Sequence, residues 1–240
     1  MRLPHLIEIY DQFLALSRFA REPFSVTQGG KLLLREGLGP DGIAALVAAS
    51  IGGAASLCVD ADADRLREGL RAGFVDFVVA NLDEALRILK NELRRARPVS
   101  VGLAVDAEPC IDAMIERGLQ PDLLSAVSEL QASTFVERGA VTLPETAITD
   151  PELSLLAWTI AEDAVRLMPR IASLASEALD PARGETPARR RWLDRSPRYL
   201  GRAWGIQQCL RMTEAETAAF LPHLHSEIPA AKITRQWARS

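Results

Sequence analysis

Gly37, Gly39 and Gly42 close the run Lys31-Leu-Leu-Leu-Arg-Glu-Gly-Leu-Gly-Pro-Asp-Gly42 with the G-x-G-x-x-G spacing that wraps a backbone around a diphosphate. The first glycine permits a tight turn, the second lets the backbone approach the ligand, and the third lets the following helix pack close to the strand. Backbone N–H groups at that helix start then face the phosphates, with the positive end of the helix dipole behind them. Asp60, where the next strand should end, has the position of the acid that accepts a ribose hydroxyl. Pro40 and Asp41 depart from this pattern. Pro40 has no N–H to offer. Asp41 stabilises an empty helix N-terminus and opposes a diphosphate, by about 1 to 4 kcal/mol at ~4 Å according to how well water screens it. The loop is compatible with a working dinucleotide site and with a fold that keeps the frame and has lost the ligand.

The elements that would position these residues alternate regularly. A leading helix over 5–20 carries Leu6, Ile9, Tyr10, Phe13, Leu16 and Ala20 at helical spacing, and Pro23 with Gly29 and Gly30 ends it. Short apolar strands are expected at 31–35, 55–60, 74–79, 99–104 and 122–126, with helices at about 41–51, 63–72, 82–96 and 107–117. Asn81 caps the third of these helices, acids fill its first turn, arginines its last, and Pro98 stops it. Asp106 caps the next and Gly118 closes it. Apolar strands separated by helices belong to a parallel sheet covered on both faces. The expected fold is α/β, a doubly wound, five-stranded Rossmann-like sheet over 1–130 followed by a helical region over 131–240. Ligands of such sheets bind beyond the carboxyl ends of the strands, in segments beginning here at Gly37, Asp60, Val79, Asp106 and Ser125.

Beyond Leu130 the alternation stops. A β-like Ala140-Val-Thr-Leu143 is followed by a helix-rich stretch over 151–179, which Pro169 should divide or kink. Residues 180–197, rich in Pro and Arg, read as a linker. Helices near 198–211 and from Thr213, with Glu216 at capping-box spacing, come last, before a mobile tail or arm.

The bulk properties narrow the function classes. With 48% hydrophobic and 25% charged residues, the 240-residue chain can bury a core without staples. A formal net charge of -4 argues against a general nucleic-acid binder. The dense basic run Arg189-Arg190-Arg191 reads as a solvated loop. No stretch is long and charge-free enough to span a bilayer; Ile43 to Leu57 comes nearest, and Gly52-Gly53 splits it. Cys58, Cys110 and Cys209 form no C-x-x-C pair, and the mixed first ten residues are not a signal peptide, so free thiols and a cytoplasmic location are expected. His223 and His225 have no acidic or cysteine partner in sequence, and no metal site is expected. Trp192, Tyr199 and Trp204 around the arginine run are read as core for the last helices rather than as a stacking pocket.

A set of ordered segments resembles one family. The run Asp60-Ala-Asp-Ala-Asp-Arg-Leu-Arg-Glu-Gly-Leu-Arg-Ala-Gly-Phe-Val-Asp76, then Asn81-Leu-Asp-Glu-Ala-Leu86, is similar to the NAD-binding domain of urocanase (urocanate hydratase). So are Pro98-Val-Ser-Val-Gly-Leu-Ala-Val-Asp-Ala-Glu108, Glu116-Arg-Gly-Leu-Gln-Pro-Asp-Leu-Leu124, Gly29 to Gly39 and Tyr10-Asp-Gln-Phe13, all in family order over about 5–126. Urocanase hydrates urocanate with a tightly bound NAD+ that acts as an electrophile. The resemblance implies cofactor-binding roles for Gly37, Gly39, Asp41 and Gly42 in the loop, for Asp60 and Arg65 at the ribose, and for Asp106 with Ala107 after the fourth strand.

The departures are equally specific. Pro40 and Asp41 replace the first two residues of the family's Gly-Met-Gly loop, and Asp106 replaces an asparagine. The family's Gln-Thr-Ser-Ala-His segment falls at Val127 to Gln131, here Val-Ser-Glu-Leu-Gln. The flanking urocanase core domain has no counterpart in these residues, and no catalytic residue is assigned. The resemblance implies a nucleotide-binding relative, its NAD site weakened by Pro40 and Asp41 or lost, that acts by assembling with itself or another protein. Two alternatives stay open: the NAD-bearing part of a split lyase of histidine catabolism, and a non-catalytic oligomeric scaffold.

Overall fold

The computed structural model describes residues 3–19, 27–144, 150, 152–160, 163–204, 206–229 and 231–236. The chain forms two compact units, Met1–Ala147 and Ile148–Ser240.

The first unit is built on a parallel sheet. Helix α1 (Leu6–Phe19) precedes β1 (Leu32–Glu36), and the chain continues through α2 (Pro40–Gly52), β2 (Ala55–Val59), α3 (Ala63–Ala72), β3 (Phe77–Val79) and α4 (Leu82–Arg94). It then adds β4 (Ser100–Leu103), α5 (Ala107–Glu116), β5 (Leu123–Ser125), α6 (Glu129–Glu137) and β6 (Val141–Thr142). All neighbouring strands pair in parallel, in the order β3-β4-β2-β1-β5-β6. The fold is the α/β Rossmann-like one expected, with six strands where five were anticipated. The sixth is the β-like Val141-Thr142, whose two residues are too few to show a period. The third strand is shorter than the expected 74–79: Phe74 and Val75 are buried in the turn after α3 instead.

Strand alternation sorts the side chains onto two faces. Leu33 and Leu123 pack with Leu16, Ala45 and Ala49 on one. Leu32, Leu34, Leu57, Val101 and Leu124 pack on the other with Leu89 of α4, Ile111 of α5 and Phe135 of α6. Each such buried aliphatic chain contributes about 1.5 to 3 kcal/mol. Helix α2 is buried along nearly its whole length because the sheet lies on one side and α1 on the other. Its sequence is therefore apolar all round, which explains the near-membrane reading of Ile43 to Leu57. Among the described residues, no helix is long and apolar enough to cross a membrane.

The second unit corrects several expectations. Among the described residues it holds the helices α7 (Ala164–Ala178), α8 (Thr186–Trp204) and α9 (Glu214–Glu227). It also holds an antiparallel sheet, ordered β8-β7-β9, of β7 (Ser154–Thr159), β8 (Gln207–Met212) and β9 (Lys232–Gln236). Residues 154–159 were read as helix, but β7 is the central strand and is buried on both faces, so alternation is absent from its sequence. The end of the expected 198–211 helix is β8, and part of the expected tail is β9. Helix α7 runs through Pro169 without ending, held by the buried Ile171, Leu174 and Ala175.

The expected 180–197 linker lies largely within α8, and one buried ion pair explains the misreading. Arg189 is fully buried, its Nη1 2.7 Å from Glu216 Oε2 and its Nη2 2.9 Å from Oε1. An arginine that belongs to a core makes a core-facing helix look like a solvated basic segment. Arg189 Nη1 also donates to the Arg211 carbonyl, and Trp192 Nε1 to the Cys209 carbonyl, so α8 satisfies the outer edge of β8. Thr213 and Glu216 form the capping box expected at the start of α9. Trp192 is core, as read; Tyr199 is half-buried beside Arg198, and the side chain of Trp204 lies outside the described residues.

Burial raises the pKa of Glu216, but hydrogen bonds from Arg189 and from the Thr213 and Asp180 N–H groups outweigh it and hold the carboxyl below the usual range. A depressed folded-state pKa contributes stability that is complete above the unfolded value and is lost as pH falls through the folded one. All four tryptophans, Trp158, Trp192, Trp204 and Trp237, lie in the second unit, so their fluorescence reports on it alone. That signal should show stability falling below about pH 4, and Glu216→Gln should flatten this acid limb. Arg189→Met should lower stability at neutral pH by about 3 to 5 kcal/mol. An acid limb that persists unchanged in Glu216→Gln would refute the assignment.

Candidate functional site

The sheet's connections diverge at β1. Helix α2 carries the chain to β2 on one side, and α5, on the opposite face, carries it from β4 to β5 on the other. The crevice beyond the carboxyl ends of β1 and β5 is the topological switch point, where open α/β sheets bind ligands.

The glycine loop lies at this crevice. Gly37 has φ +77, a left-handed conformation, and its N–H donates to the Val59 carbonyl at 2.8 Å. Leu38 is fully buried, anchoring the loop by its side chain. A Cβ on Gly42 would run into the Gly37 carbonyl oxygen, so the third glycine permits the helix to start where it does. Gly39 differs from both. Its φ of -71 suits any residue, and a Cβ there would meet nothing within 4 Å. No steric demand of the protein requires glycine at this position.

Gly39 is the N-cap of α2, Pro40 opens the helix, and no side chain caps it. The Leu38 N–H is taken by Asp60, whereas the N–H groups of Gly39, Asp41 and Gly42 have no hydrogen-bond partner among the described residues. Asp41 is exposed, so water screens its carboxylate.

Asp60 is almost fully buried, at 7% exposure, and three donors converge on it. Oδ2 accepts from the Leu38 N–H at 2.7 Å and from Arg65 Nη1 at 2.9 Å, while Oδ1 accepts from the Asp62 N–H at 2.9 Å. Arg65 also meets Asp62 at 3.0 Å. Asp60 and Arg65 thus lie beside the glycine loop, with the carboxylate directed into the protein. Asp106 and Ala107 lie at the same edge of the sheet, at the start of α5; Asp106 is exposed and makes no capping bond. Neither hydrogen-bonds to the glycine loop among the described residues.

Sequence reasoning passed over the residues that bridge the crevice. Arg35 Nη1 donates to Ser125 Oγ at 2.9 Å and Arg35 Nε to the Gly37 carbonyl at 3.3 Å, linking β1, the loop and β5. An arginine directly after the apolar run Leu32 to Leu34 was the available signal. Ala126, next to Ser125, has φ +48, which is uncommon for a residue with a Cβ. In the first turn of α6, the buried Gln131 donates to the Glu108 carbonyl and to Asp112 and accepts from Ser128. Gln131 therefore fastens α6 to α5.

Other candidate chemistry is inert here. Burial, aided by Asp60, pushes the Cys58 thiol up to about 12, so it stays protonated despite Arg35 and Arg65 nearby. Cys110 and Cys209 are also buried and free. His223 and His225 lie two residues apart on α9, which turns them to different faces rather than to a shared site. Among the described residues, no cluster of three or more His, Cys, Asp or Glu is placed to hold a metal ion.

A family model of the urocanase Rossmann-like domain matches residues 10–134, just over half of the 240-residue chain. The match includes the glycine loop, Asp60, Arg65, Asp106 and Ala107.

The three glycines should separate by experiment. Gly42→Ala should destabilise the first unit by about 1 kcal/mol or more through its clash with the Gly37 carbonyl, whereas Gly39→Ala should change stability by less than about 0.5 kcal/mol. Calorimetric melting measures both; equal losses would contradict the loop geometry. Asp60→Ala, which strands three donors, should cost at least about 1 to 3 kcal/mol.

Proposed function

Because the chain belongs to the urocanase Rossmann-like domain family, we propose that its first unit binds NAD or a related adenine nucleotide weakly at the β1–β5 crevice. The observation that carries this reading is the open space at Gly39, beside N–H groups without protein partners. Gly39, Asp41 and Gly42 would present backbone donors to the phosphates, with Arg65 at the ribose end. The buried Asp60 would hold the loop in place for them. Weak binding follows from the donor missing at Pro40 and the charge of Asp41. When bound, NAD supplies an electrophilic nicotinamide ring.

We propose further that these residues act by assembling with the same or another protein rather than as a complete urocanase. The segment Val127 to Gln131 supports this, since it enters α6, where Ser128 bonds to Gln131 and Gln131 to α5. The cradle is thus retained while the polar closure the family has at this position is not.

NAD, ADP-ribose or AMP should raise the melting temperature of the first unit in a concentration-dependent way, with about 2.7 kcal/mol of stabilisation at a hundredfold excess over Kd. No rise at about millimolar ligand would remove the nucleotide reading. Gly39→Ala should weaken binding without lowering the unliganded melting temperature. Pro40→Gly with Asp41→Gly should tighten it about fivefold or more, as expected for an exposed charge near a phosphate and a restored donor.

A further inference from the structure

The parallel sheet ends at β3, which pairs with β4 on one side and, among the described residues, with no strand on the other. Sheet edges are commonly blunted by charge, proline or a covering element. Here the edge presents Phe77, 47% exposed and the one aromatic ring among the exposed large apolar side chains described. Phe77 opens onto a groove of about 670 Å3, lined also by Ile88 of α4 and by Pro98 and Val99 just ahead of β4. Aromatic rings are enriched where proteins meet.

The charges along α4 decide what fits this groove. Helical spacing sets Glu84, Arg87, Ile88, Asn91 and Arg95 on one stripe of the helix and its C-cap, with Glu92 at its border. Arg87, Asn91 and Glu92 line the groove together with Ile88. Along this stripe the order is acid, base, two uncharged residues, acid, base, and reversing the direction exchanges every acid for a base. A second α4 laid antiparallel beside the first therefore sets Glu84 against Arg95 and Arg87 against Glu92, with Ile88 and Asn91 about the axis. A parallel copy in register would oppose like charges instead. An antiparallel pair is also what a two-fold axis generates, and it places each helix dipole against its opposite. Within one chain, Arg87 meets no carboxylate among the described residues, and Arg95 reaches Glu92 only at 3.8 Å.

We infer that two copies of this chain pair across the groove, α4 against α4 about a two-fold axis, burying Phe77 and Ile88 of both. The inference rests on the assembly reading above and gives it a surface and a partner. Because β4 and β2 separate β3 from β1, pairing at this edge leaves the nucleotide crevice open.

Sedimentation of the full chain at about 10 to 100 µM, where a small interface associates, should show a mass rising toward twice the 26.2 kDa of one chain. Phe77→Glu should weaken the dimer about thirtyfold or more. Arg87→Glu and Glu92→Arg should each weaken it about tenfold. Mixing these two variants in equal amounts should restore association, because residues 87 and 92 of one are then both acidic and those of the other both basic. The mixture decides the matter if Phe77→Glu does not fold. The melting shift with NAD should be the same in every variant as in the wild-type chain, so nucleotide binding and pairing are scored separately. A wild-type chain that stays monomeric at about 100 µM overturns the inference and leaves assembly with a different protein. A dimer indifferent to Phe77→Glu and Arg87→Glu, or a mixture that stays monomeric, overturns the surface.

Discussion

The carboxylate of Asp60 is the interaction around which the crevice is organised. It receives the Leu38 N–H, the Asp62 N–H and the Arg65 guanidinium at 2.7 to 2.9 Å while almost fully buried. One bond ties the end of β2 to the glycine loop, and the other two tie it to the start of α3. A buried charge is tolerable only when its hydrogen-bonding capacity is met, and here three donors meet it. With Leu38 held by its N–H and by its buried side chain, the turn at Gly37 and the start of α2 have little freedom. The open edge at Gly39 is thereby preformed rather than assembled around a ligand.

The sheet supplies the second constraint. Because β1 pairs with both β2 and β5, the connections leaving its neighbourhood diverge, and a crevice opens at their carboxyl ends. Arg35 and Ser125 bridge it, while Gln131 fastens α6 to α5. Cation, backbone donors and exposed acid are thus gathered on elements whose positions the core determines. Asp41 stays exposed in this arrangement, which limits its opposition to an anion.

The second unit solves a different problem. Its three-stranded sheet has a central strand, β7, and an edge, β8, whose carbonyls are met by side chains of α8. The buried Arg189–Glu216 pair joins α8 to α9 and is braced by the N–H groups of Thr213 and Asp180. Breaking such a pair is costly because either partner left alone is a buried charge. The pair therefore ties the packing of the two helices to the protonation of one acid.

Much of the first unit was legible in the chain: local spacing and capping placed the glycine loop, the early helices and a parallel sheet, because short strands between amphipathic helices permit few alternatives. The second unit was poorly legible. Central β7 buries both faces and so has no period, and Arg189 belongs to the core only because Glu216, 27 residues on, meets it there. The same division runs through the site. By itself, the sequence determined that Gly37, Gly39, Gly42 and Asp60 would stand at the carboxyl ends of neighbouring strands. Only the tertiary structure decided that Asp60 faces inward, that Gly39 faces open space, and that Arg35 reaches Ser125. Spacing along a chain encodes backbone conformation, whereas the direction of a charge depends on which distant donors the fold brings within hydrogen-bond distance of it.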